Sequence, residues 1–258
     1  MMVRIQNSQG QDDRSRLALQ ARPASTPHVR SARLLSPAFT PVACAIVVAC
    51  AGITAVLGIL FAHHTQPTGL DTAVYNWIQS AIGGGHRRGM FLFGLSELGG
   101  FFLVGMMLIL LVIACLMTGR PRGALLTAVA VPLAPGSSEF LIKHIVDRTY
   151  NGSLSFPSGH TTGICVVATV VAILLLGPQR PPQPAIVRGF LVAAGAALTV
   201  VVAMALVVTD RHYFTDTIGG AAVGVAVALA TALVIDRFPA RSASTIRPPA
   251  GDPGPPAE

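Results

Sequence analysis

Charge is what this 258-residue sequence has least of. Only 11% of its residues are charged, while 52% are hydrophobic and the mean hydropathy is +0.63. Ordinary soluble domains carry about 25% charged residues, so a soluble globular class is excluded and a multi-span membrane protein is the default. Lysine is nearly absent: Lys143 is the only one among 18 basic residues, the rest being arginine. Aromatic residues are also few, at 6%, and none alternate with basic residues as a single-strand stacking surface would require. Together with the lack of zinc-finger spacing, this excludes nucleic acid as the partner despite a net charge of +7. The four cysteines, Cys44, Cys50, Cys115 and Cys165, sit inside apolar blocks without a C-x-x-C pair. They read as small hydrophobes, neither disulfides nor metal ligands.

What the chain has in quantity is long apolar runs. Six are long enough to span a bilayer, at about 42–62, 98–118, 123–145, 160–177, 186–208 and 213–235. Pro132 and Pro135 interrupt the third. A shorter, weakly amphipathic stretch at 71–83 carries Tyr75 and Trp77 and reads as an interfacial helix ended by Gly83, Gly84 and Gly85. The expected fold is thus an all-α integral membrane bundle of six helices spanning residues 41–237. A polar, basic tail at 1–40 and a proline-rich tail at 238–258 are read as disordered and cytoplasmic. The first apolar run is too long for a signal-peptide core and is read as a retained anchor.

Orientation follows from counting. With both termini cytoplasmic, thirteen of the 18 basic residues fall inside, and Arg87, Arg88, Lys143, Arg148 and Arg211 fall outside. The positive-inside rule favours that arrangement. The positive charge is then mostly a topology signal.

Three of the outer cations coincide with two short outer loops. One runs from Lys143 through Arg148 to Pro157-Ser158-Gly159-His160, and the other reads Asp210-Arg211-His212-Tyr213-Phe214-Thr215-Asp216. Pro-Ser-Gly at the start of a span makes a helix N-terminus, whose free N–H groups and dipole attract phosphate. His160 lies on its first turn. His212 and Asp216 are spaced i, i+4, so on a helix the carboxylate holds one imidazole nitrogen and leaves the other as nucleophile or base. Lys143 and Arg148 supply charge for a multiply anionic group. Two histidines, one assisted by a carboxylate, in a cationic cradle suit double-displacement phosphoryl transfer without a metal or other cofactor. Glu97 and Glu139 read as structural hydrogen-bonding groups, with a lipid-headgroup role as the alternative. Lys143 also has Glu139 and Asp147 each four residues away as ion-pair partners.

Pro157-Ser158-Gly159-His160 followed by His212-x-x-x-Asp216 resembles the type 2 phosphatidic acid phosphatase superfamily, which shares its site and fold with vanadium haloperoxidases. The superfamily pattern is K-x6-R-P, then P-S-G-H, then S-R-x5-H-x3-D, and the likeness spans about residues 90–235. The resemblance implies that His212 is the nucleophile, that Asp216 orients it, and that His160 is the general acid. It also implies that Lys143, Ser158 and the Gly159 amide hold the phosphoryl oxygens. Two of the motifs depart from the pattern. Tyr150 and Asn151 stand where arginine and proline are expected, and Ala205 and Leu206 where serine and arginine are expected. Arg148 and Arg211 are the nearby substitutes and join the expected phosphate-binding set. The implied activity is hydrolysis of a lipid phosphate or diphosphate, of polyprenyl or phosphatidate type, at the outer leaflet through a phosphohistidine. The alternatives are a phosphotransferase of the same fold and a non-catalytic lipid-phosphate binding or transport relative. The partners expected are that lipid and the bilayer.

Overall fold

The apolar runs fold as helices in the computed structural model, which describes residues 33–82, 86–177 and 183–238. Helix α1 (Thr40–Phe61) is followed by α2 (Gly69–Ile82) and α3 (His86–Ser96). A 3₁₀ turn (Glu97–Gly99) leads into α4 (Phe101–Met117), and then comes α5 (Pro121–Ser137). A π-helical turn (Ser138–Ile142) joins α5 to α6 (Lys143–Val146). A two-stranded hairpin, β1 (Thr149–Tyr150) and β2 (Ser153–Leu154), precedes α7 (Gly159–Leu176), α8 (Ala185–Val208) and α9 (Phe214–Arg237). Of the expected tails at 1–40 and 238–258, residues 1–32 and 239–258 lie outside the described residues, as does the glycine run at 83–85. Residues just ahead of α1 are anchored: the N–H groups of Leu34 and Leu35 donate to the Asp236 carboxylate at 2.9 and 2.8 Å.

Among the described residues, five helices are long and apolar enough to cross a membrane. A bent pair, Arg87–Gly99 with Phe101–Met117, supplies the sixth crossing when counted as one span. The chain is therefore an all-α, multi-pass membrane protein. The second span differs in detail from the expectation at 98–118: α3 precedes it, and the axis turns by 49° at the break beside Gly100. Pro132 and Pro135 do not interrupt the third span. Both lie inside α5, and the chain continues through the π turn to Val146. Each proline removes one intrahelical N–H and crowds the preceding turn, and a π turn is one way a helix absorbs such a disturbance.

Helix α7 is the most enclosed span, with 61% of its most apolar stretch buried, against 6% for α1. Helix α9 packs on α1, α5 and α7. It approaches closely because Gly220 and Gly224 meet α7 directly: a Cβ at Gly220 would run into the Ser158 carbonyl oxygen, and one at Gly224 would lie 2.9 Å from Val166 N. Small residues let membrane helices pack backbone to backbone. Gly220→Ala is expected to cost about 1–3 kcal/mol as overpacking and to lower the thermal midpoint in detergent by several degrees. Gly52→Ala, with nothing within 4 Å of the added Cβ, is the control that leaves the midpoint in place.

Candidate active site

The two loops singled out in the sequence meet at one end of the bundle, where α1, α6 and α8 finish and α4, α7 and α9 begin. Ser158 N–H donates to the Asp216 carbonyl at 2.9 Å, so the two loops are joined by backbone. Ser158 is the N-cap of α7, with its fully buried Oγ accepting from Thr161 N–H at 3.4 Å. Gly159 and His160 open the helix, and the 3₁₀ turn lies against them: a Cβ on Gly99 would collide with the His160 carbonyl. His160 shares its surroundings with Arg211, His212, Glu97 and Glu139.

His212 precedes α9, and its Nδ1 lies 3.8 Å from Asp216 Oδ2. That nitrogen is buried and has no hydrogen-bond partner among the described residues. Catalytic hydrogen bonds are often long in the unliganded protein, and this one needs a movement below about 1 Å to close. Asp216 is fully buried and held from two sides. Its Oδ2 accepts the Tyr213 N–H at 3.1 Å, the reciprocal half of a helix capping box, and its Oδ1 accepts from Arg148 at 2.7 Å.

Lys143 Nζ bonds to the Glu139 carboxylate at 2.9 Å. That carboxylate lies directly against Gly159 at the start of α7. The π turn contains Glu139 and is followed at once by Lys143. Arg211 pairs with Glu97, donates to Ser96 Oγ at 3.1 Å, and brings Nη2 to 3.5 Å from His160 Nε2. Lys143 and Arg211 thus reach the two histidine-bearing loops, each with its own carboxylate. Both acids, expected to be structural, stand inside the site.

Arg148 has a setting other than the expected one. It is completely buried and its two terminal nitrogens bond to protein: Nη1 to Thr215 Oγ1 and Asp216 Oδ1, both at 2.7 Å, and Nη2 to Asp71 Oδ2 at 3.0 Å, while Nε has no hydrogen-bond partner among the described residues. Its guanidinium carbon is 4.3 Å from the ring centres of both Phe61 and Tyr213. The side chain lies behind Asp216, among protein groups, because carboxylates and aromatic faces are what compensate a guanidinium taken out of water.

The two departures from the expected pattern have local causes. Asn151 and Gly152 both have positive φ, 49° and 79°, in the two-residue turn between Tyr150 and Ser153. Proline, locked near −65°, cannot occupy that Asn151 conformation. Tyr150 turns its ring edge-on to Tyr213 at 4.5 Å and donates to Asp210 Oδ1 at 3.3 Å. Burial, then the Asp210 carboxylate, pushes its phenol up to about 12, so it stays a neutral donor. Leu206 is fully buried against Ile164 and Val202. The cation arrives instead from Arg211, just past the end of α8.

Asp71, on α2, was not among the expected residues. Its Oδ1 accepts the Thr215 N–H at 2.8 Å and hydroxyl at 2.9 Å, and its Oδ2 accepts the Thr68 N–H at 2.9 Å and hydroxyl at 2.8 Å besides Arg148. Burial pushes its carboxyl up, but the Thr215 and Thr68 donors outweigh that and leave it below its ordinary value.

The sequence model of the PAP2 superfamily matches residues 100–239, more than half of the chain and both histidine loops. The chain belongs to the PAP2 superfamily. No curated protein sequence matches it. By structure it is similar to a transmembrane PAP2-type phosphatidylglycerolphosphate phosphatase from Bacillus subtilis, with a TM-score of 0.60 and 15% identity over 72% of this chain and 93% of that one. At that identity the likeness carries the bundle fold, and superfamily membership supports a membrane phosphatase at family level.

Proposed function

We propose that the chain hydrolyses a lipid phosphate or diphosphate at the outer face of the membrane, through a phosphohistidine on His212. The observation that carries this reading is the joining of the Ser158–Gly159–His160 helix start to the His212–Asp216 pair, with Ser158 N–H bonded to the Asp216 carbonyl at 2.9 Å. Asp216 facing Nδ1 leaves Nε2 of His212 as the attacking atom. Nε2 forms the bond to phosphorus while the bond to the leaving oxygen breaks, and His160 gives that oxygen its proton. His160 then takes a proton from water, whose oxygen attacks phosphorus and releases inorganic phosphate and the free His212. Lys143, Arg211 and the first N–H groups of α7 offset the charge on the phosphoryl oxygens. Phosphate replaces Glu139 at the helix start and Glu97 at Arg211.

A lipid substrate fits the surroundings. An apolar cavity of about 500 Å³ between α1, the α5–α6 span and α9, lined by Ala55, Gly58, Ile59, Ile142, Val146 and Val223, suits a hydrocarbon chain. The arginine count favours both termini in the cytoplasm and the site outside. The pairing of both remaining cations with carboxylates favours a second reading, a relative that binds lipid phosphate without cleaving it.

Inorganic phosphate release, measured over polyprenyl diphosphate, phosphatidic acid and phosphatidylglycerol phosphate in mixed micelles, separates the two. Release from at least one lipid, blocked by vanadate and unchanged by EDTA, is the expected result. Binding without release supports the second reading, and loss of activity in EDTA would exclude the metal-free route.

A further inference from the structure

Behind His212 lies a buried chain of charges, Asp71–Arg148–Asp216, that ties α2 to the start of α9. Its composition sets what His212 experiences. Arg148 alone against Asp216 would cancel the carboxylate that faces the imidazole. Asp71, in contact with the other arm of the same guanidinium, restores the balance: two carboxylates and one guanidinium leave one net negative charge beside His212 Nδ1. We propose that Asp71 is a positioning residue of the reaction, acting through Arg148 to keep Asp216 effective as the anionic partner of His212. It lies outside the stretch that the superfamily model matches. The inference rests on the reading of His212 as nucleophile.

Three features support it. Asp71 is buried, and its two oxygens accept five hydrogen bonds, which hold it as a carboxylate. Thr215, next to Asp216, donates to Asp71 while accepting from Arg148, so the network has little rotational freedom. When His212 becomes a phosphohistidine or an imidazolium, the positive ring character that develops is stabilised by the net charge nearby, not by Asp216 alone. Asp71 also forms a capping box with Thr68, whose hydroxyl accepts the Asp71 N–H at 3.1 Å. A purely structural role would be carried by that cap.

The test uses the full chain in detergent, with phosphate release from the best lipid substrate and thermal unfolding measured on each variant. Asp71→Asn is expected to lower kcat about tenfold, within the range seen for coupled neighbours, with KM within twofold of wild type. Thr68→Val loses the cap without losing charge, and should keep kcat within threefold. The decisive variant is the double change Asp71→Asn with Arg148→Gln, which leaves Asp216 as the one buried charge; its kcat is expected to exceed that of Asp71→Asn at least threefold. Full activity in folded Asp71→Asn, an equal loss in Thr68→Val, or a double variant no better than the single one would each overturn the proposal. If Asp71→Asn or the double variant does not fold, Asp71→Glu decides: kcat near wild type supports the charge argument, and a tenfold loss in folded protein overturns it. A wild-type chain that releases no phosphate from any lipid removes the functional reading, and this inference with it.

Discussion

His212→Ala is expected to reduce phosphate release by on the order of 10⁴-fold or more, because it removes the atom to which phosphorus is transferred. The loss should appear in kcat. Substrate would still meet Lys143, Arg211 and the α7 N-terminus, so KM should stay within a few-fold. The fold should survive, since His212 Nδ1 makes no hydrogen bond among the described residues and the ring lies in the loop ahead of α9. A direct readout is the intermediate itself. Wild-type protein mixed briefly with ³²P-labelled lipid and quenched in base should retain label that acid releases, as a phosphoramidate bond does. His212→Ala should retain none. Residual activity within tenfold of wild type would rule out covalent catalysis at His212.

How much of this was legible beforehand depends on distance along the chain. The spans were legible because a bilayer demands long apolar runs, and the helix bounds fall close to the expected ones. The P-S-G-H helix start and the His212–Asp216 pair were legible because each is a local pattern, whose residues lie within one helical turn. The Asn151–Gly152 turn is equally local, an Asn-Gly step of the kind that closes two-residue hairpins. Helix α3 is hard to see in the sequence because its Arg87, Arg88 and glycines dilute the apolar signal. The buried setting of Arg148 is hidden in the sequence for a different reason. Its partners Asp71 and Asp216 lie 77 and 68 residues away, and a basic residue beside a phosphate site looks the same in sequence whether it faces the ligand or the carboxylate behind it. The same holds for Glu97 and Glu139, whose place at the site depends on the bend at Gly100 and on the π turn.

Arg148→Ala tests that distinction with the largest expected effect on folding. Were Arg148 a phosphate ligand, its loss would weaken substrate binding and spare the fold. In its buried setting, removing it leaves Asp71 and Asp216 without their shared cation, and opens a cavity between the Phe61 and Tyr213 rings. Breaking a buried ion pair by deleting one partner costs about 3–5 kcal/mol, which is a large part of a stability of roughly 5–15 kcal/mol. The variant is therefore expected to aggregate or to unfold many degrees below wild type in detergent. Arg211→Ala offers the contrast. Its guanidinium is partly exposed at the site, paired with a more exposed Glu97, so its removal should leave the thermal midpoint nearly unchanged while lowering phosphate release. An Arg148→Ala protein that melts with wild type and loses only affinity for lipid phosphate would return that residue to the anion cradle. The network behind Asp216 would then have to hold without its cation, which two facing carboxylates in a buried space cannot do while both stay ionised.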